Sequence, residues 1–515
     1  MHSPPRMARV LVIIALACCA PLAAADLTTQ HAPLLATVVV DGSSPYDAAR
    51  LFATYRDQLG QPISRDGARA VVDALLALYE ADGYLRPEVR VDDSLTARGV
   101  LRVQVFEPQV SRVVYEGDAG RYQDRIEGIG DRLEQSRPLK KTDVSEALRA
   151  MRQISGLTIT ASTRRDERVR NAFELVVRSD FSRVDGLVRM NNRGTDQVGP
   201  NFVLGQLFAN GLLGSEGRLG VMFAAATDPS EYLGYGLFGD WAMGRSGTRA
   251  NLLAYDSYSA PNERPVNYDD GYSRQQAALH ITHPLIQDVT SSLFIGGAFE
   301  ADDLTIDRSG FVFREDRLRI LEGSLRGGWR SSGGTQYSAG IVARKGLDAF
   351  GAGLQALDLP DDPRRVDFLV AQFSGSVYRR FATDWSWRLD AFAQHSGDVL
   401  PDSERFKIGG DRLGRGFEVA QIAGDRGVGG KLELRRDLLV SDGTFGRLSA
   451  YGFYDFGAAW KQDQPGRESA ATAGTGLALQ GSSLTGYLEV AAPLTGADIE
   501  GKHHASVFAE LSYRF

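Results

Sequence analysis

The chain has 515 residues, two cysteines and a formal net charge of −7 at pH 7. Its length predicts two or more domains, and its negative charge argues against nucleic acid as a partner. Both cysteines, Cys18 and Cys19, lie within the first 25 residues, so residues 26–515 can form neither a disulfide nor a thiolate metal site.

The N-terminus has the pattern of a secretory signal peptide, predicted for residues 1–25. Arg6 and Arg9 precede the apolar segment VLVIIALA, and Ala23-x-Ala25 offers a cleavage site. The apolar segment is too short for a permanent membrane helix. A lipoprotein signal is an alternative, although the sequence LACC places a cysteine where a small residue is expected. The sequence therefore predicts export from the cytoplasm.

Residues 26–180 contain two copies of one small α+β pattern. Each copy has the order β-α-α-β-β, the first within residues 26–108, including a short N-terminal lead, and the second within residues 109–180. Repetition at this period predicts an array of like domains.

Helix signals mark both copies. In the first, Ser64 is suited to cap a helix and Gly83 follows it where a left-handed residue is favoured. In the second, helices are predicted at residues 121–133 and from Thr142. The apolar residues at helical spacing in the first copy are Val72, Leu75, Leu76 and Tyr79.

From residue 181 to residue 515 the helical spacing gives way to alternation with a period of two, interrupted by turn residues. The last segment, ASVFAELSYRF, is the clearest example. Its apolar face is Val507, Ala509, Leu511, Tyr513 and Phe515, and its polar face is Ser506, Glu510, Ser512 and Arg514. About sixteen such segments predict a closed membrane β-barrel, with one face of each strand in lipid and the other in a wet lumen. A soluble sandwich or propeller also alternates, but it explains neither the signal peptide nor the aromatic C-terminus.

Two motifs stand out in the barrel region. GRGFEVAQIAGDRGVGGKLEL contains Arg415, Gly416 and Phe417, and FYDFG begins at Phe453 and contains Asp455 and Gly457. Alternation in RLSAYGFYDFGAAW puts Leu448, Tyr454 and Phe456 on the lipid face, which leaves Phe453, Asp455 and Gly457 on the lumen face. A carboxylate is costly in lipid, so the lumen position of Asp455 is reasonable.

With these motifs the chain resembles the two-partner secretion transporters, the haemolysin-activator and filamentous-haemagglutinin transporter family. These proteins have two POTRA domains before a 16-stranded outer-membrane barrel. The stretches YEADGYLRPEVRV and MNNRGTDQVGP also resemble family segments, at the end of the first POTRA domain and at the start of the barrel. The resemblance covers nearly the whole chain after the signal peptide.

The resemblance implies a location in the Gram-negative outer membrane, with the POTRA domains in the periplasm. There they would capture an unfolded, large secreted exoprotein, which would cross through the lumen. The loop tip would fold into the barrel and Arg415 would pair with Asp455. Tyr513 and Phe515 would form a C-terminal signal for the barrel-assembly machinery. The chain departs from the family in its lead, which is too short for the usual plug helix and linker, so an unplugged or differently gated pore is expected.

No catalytic residues, cofactor or metal site are predicted. His280 and His283 are three residues apart, so they point to opposite faces of a strand. The alternatives to an exporter are an insertase that helps other barrels to assemble, although insertases usually carry three or more POTRA domains, and a diffusion porin, which would leave the two modules without a role. Nothing in the sequence supports an enzyme.

Overall fold

The computed structural model describes residues 33–195, 198–212, 216–244, 246–261, 270–288, 290–359, 361–441, 445–495 and 504–515. The predicted signal peptide and most of the lead after it lie outside these residues. The chain divides into two compact units, Met1–Asp82 with Arg86–Glu107, and Gly83–Leu85 with Pro108–Phe515.

The first unit combines a three-stranded sheet with two helices. Strand β1 (Thr37–Asp41) is followed by α1 (Ala48–Ala53), α2 (Arg65–Ala81), β2 (Glu88–Asp92) and β3 (Val100–Phe106), with short 3-10 turns at Arg56–Gln58 and Asp93–Arg98. The strands pair in the order β1-β3-β2, with β1 parallel and β2 antiparallel to β3. The predicted order of elements is therefore present.

Helix α2 begins and ends as its sequence signals predict. The Ser64 hydroxyl accepts a hydrogen bond from the Gly67 N–H at 3.0 Å, and Gly83 has a φ of +81°. One residue differs from the prediction, because Val71 rather than Val72 is buried with Leu75, Leu76 and Tyr79. The Tyr79 hydroxyl donates to Glu107 at 2.6 Å. Burial, and then this hydrogen bond to a carboxylate, raises the pKa of Tyr79 well above its usual range, so the group stays a donor.

The second unit begins with another module of the same order. Its elements are β4 (Gln109–Asp118), α3 (Gln123–Gln135), α4 (Asp143–Arg152), β5 (Leu157–Arg165) and β6 (Ala172–Phe181), and the strands pair as β4-β6-β5. The first helix starts two residues later than predicted because Gly120–Tyr122 forms a 3-10 turn. Ile126, Met151 and Val177 are fully buried in the core of this module.

The rest of the second unit is a barrel. Its strands in chain order are β7 (Val184–Asn191), β8 (Phe202–Asn210), β9 (Arg218–Ala226), β10 (Tyr232–Met243), β11 (Thr248–Ser259), β12 (Asp270–Gln287), β13 (Ser291–Arg308), β14 (Phe311–Arg330), β15 (Gln336–Gly346), β16 (Gly353–Ala356), β17 (Leu369–Arg380), β18 (Trp385–Ser396), β19 (Phe406–Ile408), β20 (Ile422–Gly424), β21 (Arg426–Val440), β22 (Arg447–Trp460), β23 (Glu468–Gln480), β24 (Leu484–Pro493) and β25 (Ser506–Arg514).

Sixteen antiparallel strands close this barrel, namely the nine from β7 to β15, then β17 and β18, and the five from β21 to β25. The short β16 pairs with β14, and β19 pairs with β20 in a separate hairpin. The fold class predicted from the sequence, a 16-stranded barrel after two small α+β domains, is confirmed. In the described part of the chain, no helix has the length and apolar character needed to cross a membrane.

The two faces of the barrel wall differ as the alternation predicts. Tyr235, Leu237 and Phe456 are about half exposed on the outer face, with exposed fractions of 58%, 61% and 48%. Asp455 and Thr472 are fully buried on the inner face. The apolar outer surface suits lipid and the charged inner surface suits a wet lumen.

The second module is fixed to one rim of the barrel by polar contacts. Arg249 on β11 donates to the Gln153 carbonyl oxygen at 3.0 Å and binds Asp240 of the neighbouring strand at 2.6 Å. Arg125 on α3 binds Glu216, in the β8–β9 turn, at 2.7 Å. This rim is therefore the side of the barrel on which the second module lies.

Candidate functional site

A long loop between β18 and β21, residues 397–425, folds back into the barrel and is called the lumen loop here. Its tip is compact because three glycines adopt left-handed backbone angles, with φ values of +120° at Gly409, +89° at Gly410 and +84° at Gly414. The Gly410 N–H donates to the Phe417 carbonyl oxygen at 3.1 Å, and the Phe417 N–H donates to the Gly414 carbonyl oxygen at 2.9 Å. This turn presents Arg415 to the wall of the barrel.

Arg415 binds Asp455 through both its side chain and its backbone. The Arg415 Nε and Nη2 donate to the two carboxylate oxygens of Asp455 at 2.9 and 2.8 Å, and the Arg415 N–H donates at 3.2 Å. Arg415 is 5% exposed and Asp455 is fully buried. A bidentate pair in this setting fixes both the position and the orientation of the loop tip.

Four further side chains complete the Arg415 site. The Arg415 Nη1 donates to Glu489 of β24 at 3.1 Å, and the Tyr451 hydroxyl donates to the same carboxylate oxygen at 3.0 Å. The guanidinium carbon lies 3.4 Å from the centre of the Phe453 ring, which places the cation over an aromatic face. With Glu433 at 3.6 Å from the Arg415 Nη1, three carboxylates therefore surround one buried cation.

The other two residues of the tip motif contact the same wall. A Cβ added to Gly416 would lie 2.9 Å from both the Pro493 nitrogen and the Thr472 Cγ2, so only glycine fits this close approach. Phe417 is 6% exposed and packs with Leu413 and Ala470.

A strip of glycines on β21 and β22 receives the apolar side chains of the loop. A Cβ on Gly457 would lie 2.8 Å from the Cδ1 of Ile408, and a Cβ on Gly429 would lie 2.4 Å from the Cδ2 of Leu413. Gly429 and Gly457 are directly opposite each other in the register of the two strands. The wall therefore complements the docked loop in shape, through these glycines, as well as in charge, through Asp455.

The lumen loop has a second anchor on another part of the wall. Glu404 accepts from the Arg344 Nε of β15 at 2.8 Å. Arg344 also binds Glu300 at 2.9 Å and Glu322 at 2.8 Å, and the Gln394 amide donates to the Glu404 carbonyl oxygen at 2.8 Å. The loop is therefore held both at its tip and near its base.

A cavity of about 680 Å³ lies beside the docked loop, lined by residues that include Arg344, Gln372, Glu404 and Lys407. This is the volume of a small-molecule site, not that of a wide protein channel.

The sequence motifs included Arg415, Gly416, Phe417, Phe453, Asp455 and Gly457, and the structure brings all of these into one site. Sequence reasoning missed Glu489, Thr472, Gly429 and the Arg344–Glu404 anchor. The alternation in GYLEVAAP could have placed Glu489 in the lumen, but no local signal shows that it reaches Arg415.

The two C-terminal residues of the predicted assembly signal lie at the closure of the barrel. The Phe515 N–H donates to the Gly186 carbonyl oxygen at 3.1 Å, and the Gly186 N–H donates to the Phe515 carbonyl oxygen at 2.9 Å. The rings of Tyr513 and Phe515 are stacked at 6.1 Å, and Tyr513 is half exposed on the lipid face.

His280 and His283 both lie on β12. His283 is hydrogen-bonded to Thr248 at 2.8 Å through Nδ1. Within the residues that the structure describes, no group of three His, Cys, Asp or Glu side chains is arranged to hold a metal ion.

A closed barrel with two preceding α+β modules, a charged lumen and an inward loop is the architecture of an outer-membrane barrel protein. A family model described as haemolysin secretion/activation protein ShlB/FhaC/HecB matches residues 175–481. The chain belongs to this family, and the resemblance inferred from its sequence is confirmed. The two small modules are accordingly called POTRA domains below.

Similar proteins agree with this assignment. The outer membrane transporter CdiB of Escherichia coli is 23% identical over 511 residues, covering 93% of this chain and 82% of that protein. The solved structure of CdiB from Escherichia coli has a TM-score of 0.76 at 20% identity and covers 96% of this chain and 93% of that chain. CdiB from Acinetobacter baumannii has a TM-score of 0.66 at 12% identity and covers 94% and 90%. The chain is a transporter of the Gram-negative outer membrane.

Proposed function

We propose that this transporter exports one large partner protein to the cell surface, as one component of a two-partner secretion system. The POTRA domains would lie in the periplasm and bind the partner before it folds. The single observation that carries the proposal is the lumen loop, whose tip lies inside the barrel and is held there by non-covalent contacts, chiefly that of Arg415 with Asp455 at 2.8 Å.

The POTRA sheets support the capture step. Among the strands that the structure describes, β3 is central in the first module, so β1 and β2 each have one edge without a neighbouring strand. In the second module β4 and β5 are the outer strands. An extended segment of a partner can add to such an edge through main-chain hydrogen bonds, which suits an unfolded substrate.

The lumen has features that support passage of the partner protein through the barrel. Its wall carries charged residues of both signs, and the described loop contacts are ionic or small apolar contacts that can be broken and remade. We propose that the lumen loop leaves the tip site when the partner passes and returns afterwards. No phosphate-binding motif is present, so the direction of transport would come from folding of the partner outside the cell.

A deletion strain tests the proposed function. Proteins of the medium and of the outer membrane would be quantified by mass spectrometry with and without this transporter, and the gene would be restored as the control. Loss of one large secreted protein with an otherwise unchanged outer membrane is the expected result. Depletion of several other barrels would instead indicate an insertase, and no change in either fraction would contradict both functions.

A further inference from the structure

The Asn192–Arg193 segment, just after the first barrel strand, connects the closure of the barrel to the site of the lumen loop. Strands β7 and β25 close the barrel through five paired residues, Leu187 to Asn191 with Arg514 to Glu510. Beyond them the Asn192 side chain donates to the Val507 carbonyl oxygen at 2.9 Å and accepts from the Ala509 N–H at 2.7 Å. Asn192 therefore extends the ladder with its side chain.

Arg193 is held tightly at this closure. Its Nε donates to the Tyr487 hydroxyl at 2.8 Å, and its Nη2 binds Glu489 at 2.6 Å. The guanidinium carbon lies 4.0 Å from the centre of the Phe508 ring on β25. Arg193 thus joins the end of β7 to both β24 and β25.

Glu489 is shared by two arginines. One of its oxygens accepts from Arg193 and the other from Arg415, and the carboxylate is only 2% exposed. Arg193 belongs to the barrel closure, whereas Arg415 belongs to the lumen loop. When the loop leaves, Glu489 loses one cation and keeps the other.

The shared position of Glu489 between two arginines avoids a large free-energy cost when the loop leaves. A buried carboxylate without a cation is strongly destabilising, because neither water nor an opposite charge compensates it. Among the described residues, the Arg193 Nη1 is buried and has no hydrogen-bond partner. It is a donor that can turn to Glu489 once Arg415 has left.

We propose that Arg193 is a positioning residue that keeps Glu489 neutralised while the lumen loop is undocked. The two guanidinium groups compete for the Glu489 carboxylate. Arg193 therefore weakens the interaction between Glu489 and Arg415, and this makes docking of the lumen loop reversible. Without Arg193, Glu489 would attract Arg415 more strongly and the loop would leave the wall less often.

A single cysteine can report on undocking. Ala470 is 4% exposed and belongs to the buried cluster that Leu413 and Phe417 of the docked loop form with the wall. Residues 26–515 contain no natural cysteine. The rate at which a small maleimide labels Ala470→Cys, in the full chain in outer-membrane vesicles, measures the undocked fraction. The chain without this cysteine gives the background.

Arg193→Gln removes the charge and is expected to slow labelling by roughly tenfold, the coupling usual within one salt-bridge network. Arg193→Lys keeps the charge, so Ala470→Cys in this variant should be labelled at nearly the same rate as in the chain with Arg193.

Asn192→Ala is the control for a weaker barrel closure, because Asn192 does not contact Glu489. It should lower the temperature at which the folded barrel band is lost but leave the labelling rate unchanged. Faster or unchanged labelling of Arg193→Gln would overturn the proposal, as would equal effects of Arg193→Gln and Asn192→Ala.

A second measurement does not depend on Arg193 variants. In a structure of Arg415→Ala, the proposal expects two terminal nitrogens of Arg193 to bind Glu489. A Glu489 side chain turned away from Arg193 would contradict it. Both tests read the state of the loop and not export, so their outcomes are separate from that of the proposed function.

Discussion

Arg415 and Asp455 are joined by three hydrogen bonds, although forty residues separate them along the chain. One comes from the Arg415 backbone, so the contact fixes the path of the loop as well as its side chain. The pair places the tip of an outward-facing loop deep within the barrel. The predictions below follow from this contact and from the wall that surrounds it.

Arg415→Ala and Asp455→Ala should each reduce export strongly while the barrel still assembles. Removing one partner of a buried pair leaves the other uncompensated, at a cost of about 3–5 kcal/mol to the docked loop. The loop would then fail to return to the wall after it has left, and the proposed cycle of undocking and docking would stop. The amount of partner protein in the medium is the measurement, and the heat-modifiable barrel band reports assembly. Arg412→Ala, an exposed position on the same tip, is the matched control. Normal secretion by both variants would remove the role assigned to this pair.

Gly457→Val should displace the lumen loop by shape alone. Its side chain would enter the space of Ile408, which lies 2.8 Å from the position of an added Cβ. Labelling of Ala470→Cys should therefore become several-fold faster. Gly452→Val on the same strand is the control, because nothing lies closer than 3.9 Å to its added Cβ. Equal labelling of the two variants would mean that the glycine strip does not determine docking.

Arg344→Met should release the base of the lumen loop. Three carboxylates, those of Glu300, Glu322 and Glu404, would lose their shared cation. Glu322 would keep Arg326 at 3.6 Å, but removing one partner from a buried ionic network costs several kcal/mol. Proteolysis within residues 397–425 of the intact barrel should become faster. Arg326→Met is the comparison because, in the part of the chain that the structure describes, this exposed side chain binds Glu322 at 3.6 Å but forms no ion pair with the loop residue Glu404. Unchanged proteolysis would show that the tip alone holds the loop.

Phe515→Ala should lower the amount of assembled barrel. The change removes the ring that packs against Gly186 and Tyr513 at the closure, and it alters the proposed assembly signal. Immunodetection of the folded band in outer-membrane fractions measures the effect. Arg514→Ala, on the neighbouring position, tests whether any C-terminal change has the same result. Full assembly of Phe515→Ala would contradict the proposed signal.

Removal of residues 36–108 should prevent capture of the partner. These residues make up most of a separate compact unit, so the barrel should still assemble without them. Cross-linking of the partner to the transporter in the periplasm, compared with the full chain, is the measurement. Efficient cross-linking of the shortened chain would assign capture to the second POTRA domain.

Much of this architecture could be predicted from the sequence because it repeats over many residues. Alternation in each strand sets which face meets lipid, and it correctly placed Asp455 and Phe453 inside. The helix signals at Ser64 and Gly83 are local and act as predicted, whereas the Val71 position depends on how the helix packs on the sheet. Patterns of this kind extend over a whole strand or helix, so one residue that departs from the pattern does not change the predicted element.

The site could be predicted only in part. Arg415 and Asp455 belong to motifs, and the resemblance to a family suggested that they pair. Glu489, Arg193 and Arg344 are ordinary lumen charges in the sequence, and only the closure of the barrel brings them to the loop. Which charges meet depends on the register and stagger of strands that are far apart along the chain, and no local pattern contains that information.

The most direct test of the central claim, that the lumen loop must leave its site for export, is to lock it in place. Leu413→Cys with Gly429→Cys places two thiols at a contact between the loop and the wall, where the Leu413 Cδ2 lies 2.4 Å from an added Cβ on Gly429. Titration of free thiols would show how much of the protein forms the disulfide. Export of the partner should stop when the disulfide forms and return when a reductant breaks it. Undiminished export through the oxidised barrel would contradict the claim, because the partner would then pass without movement of the loop.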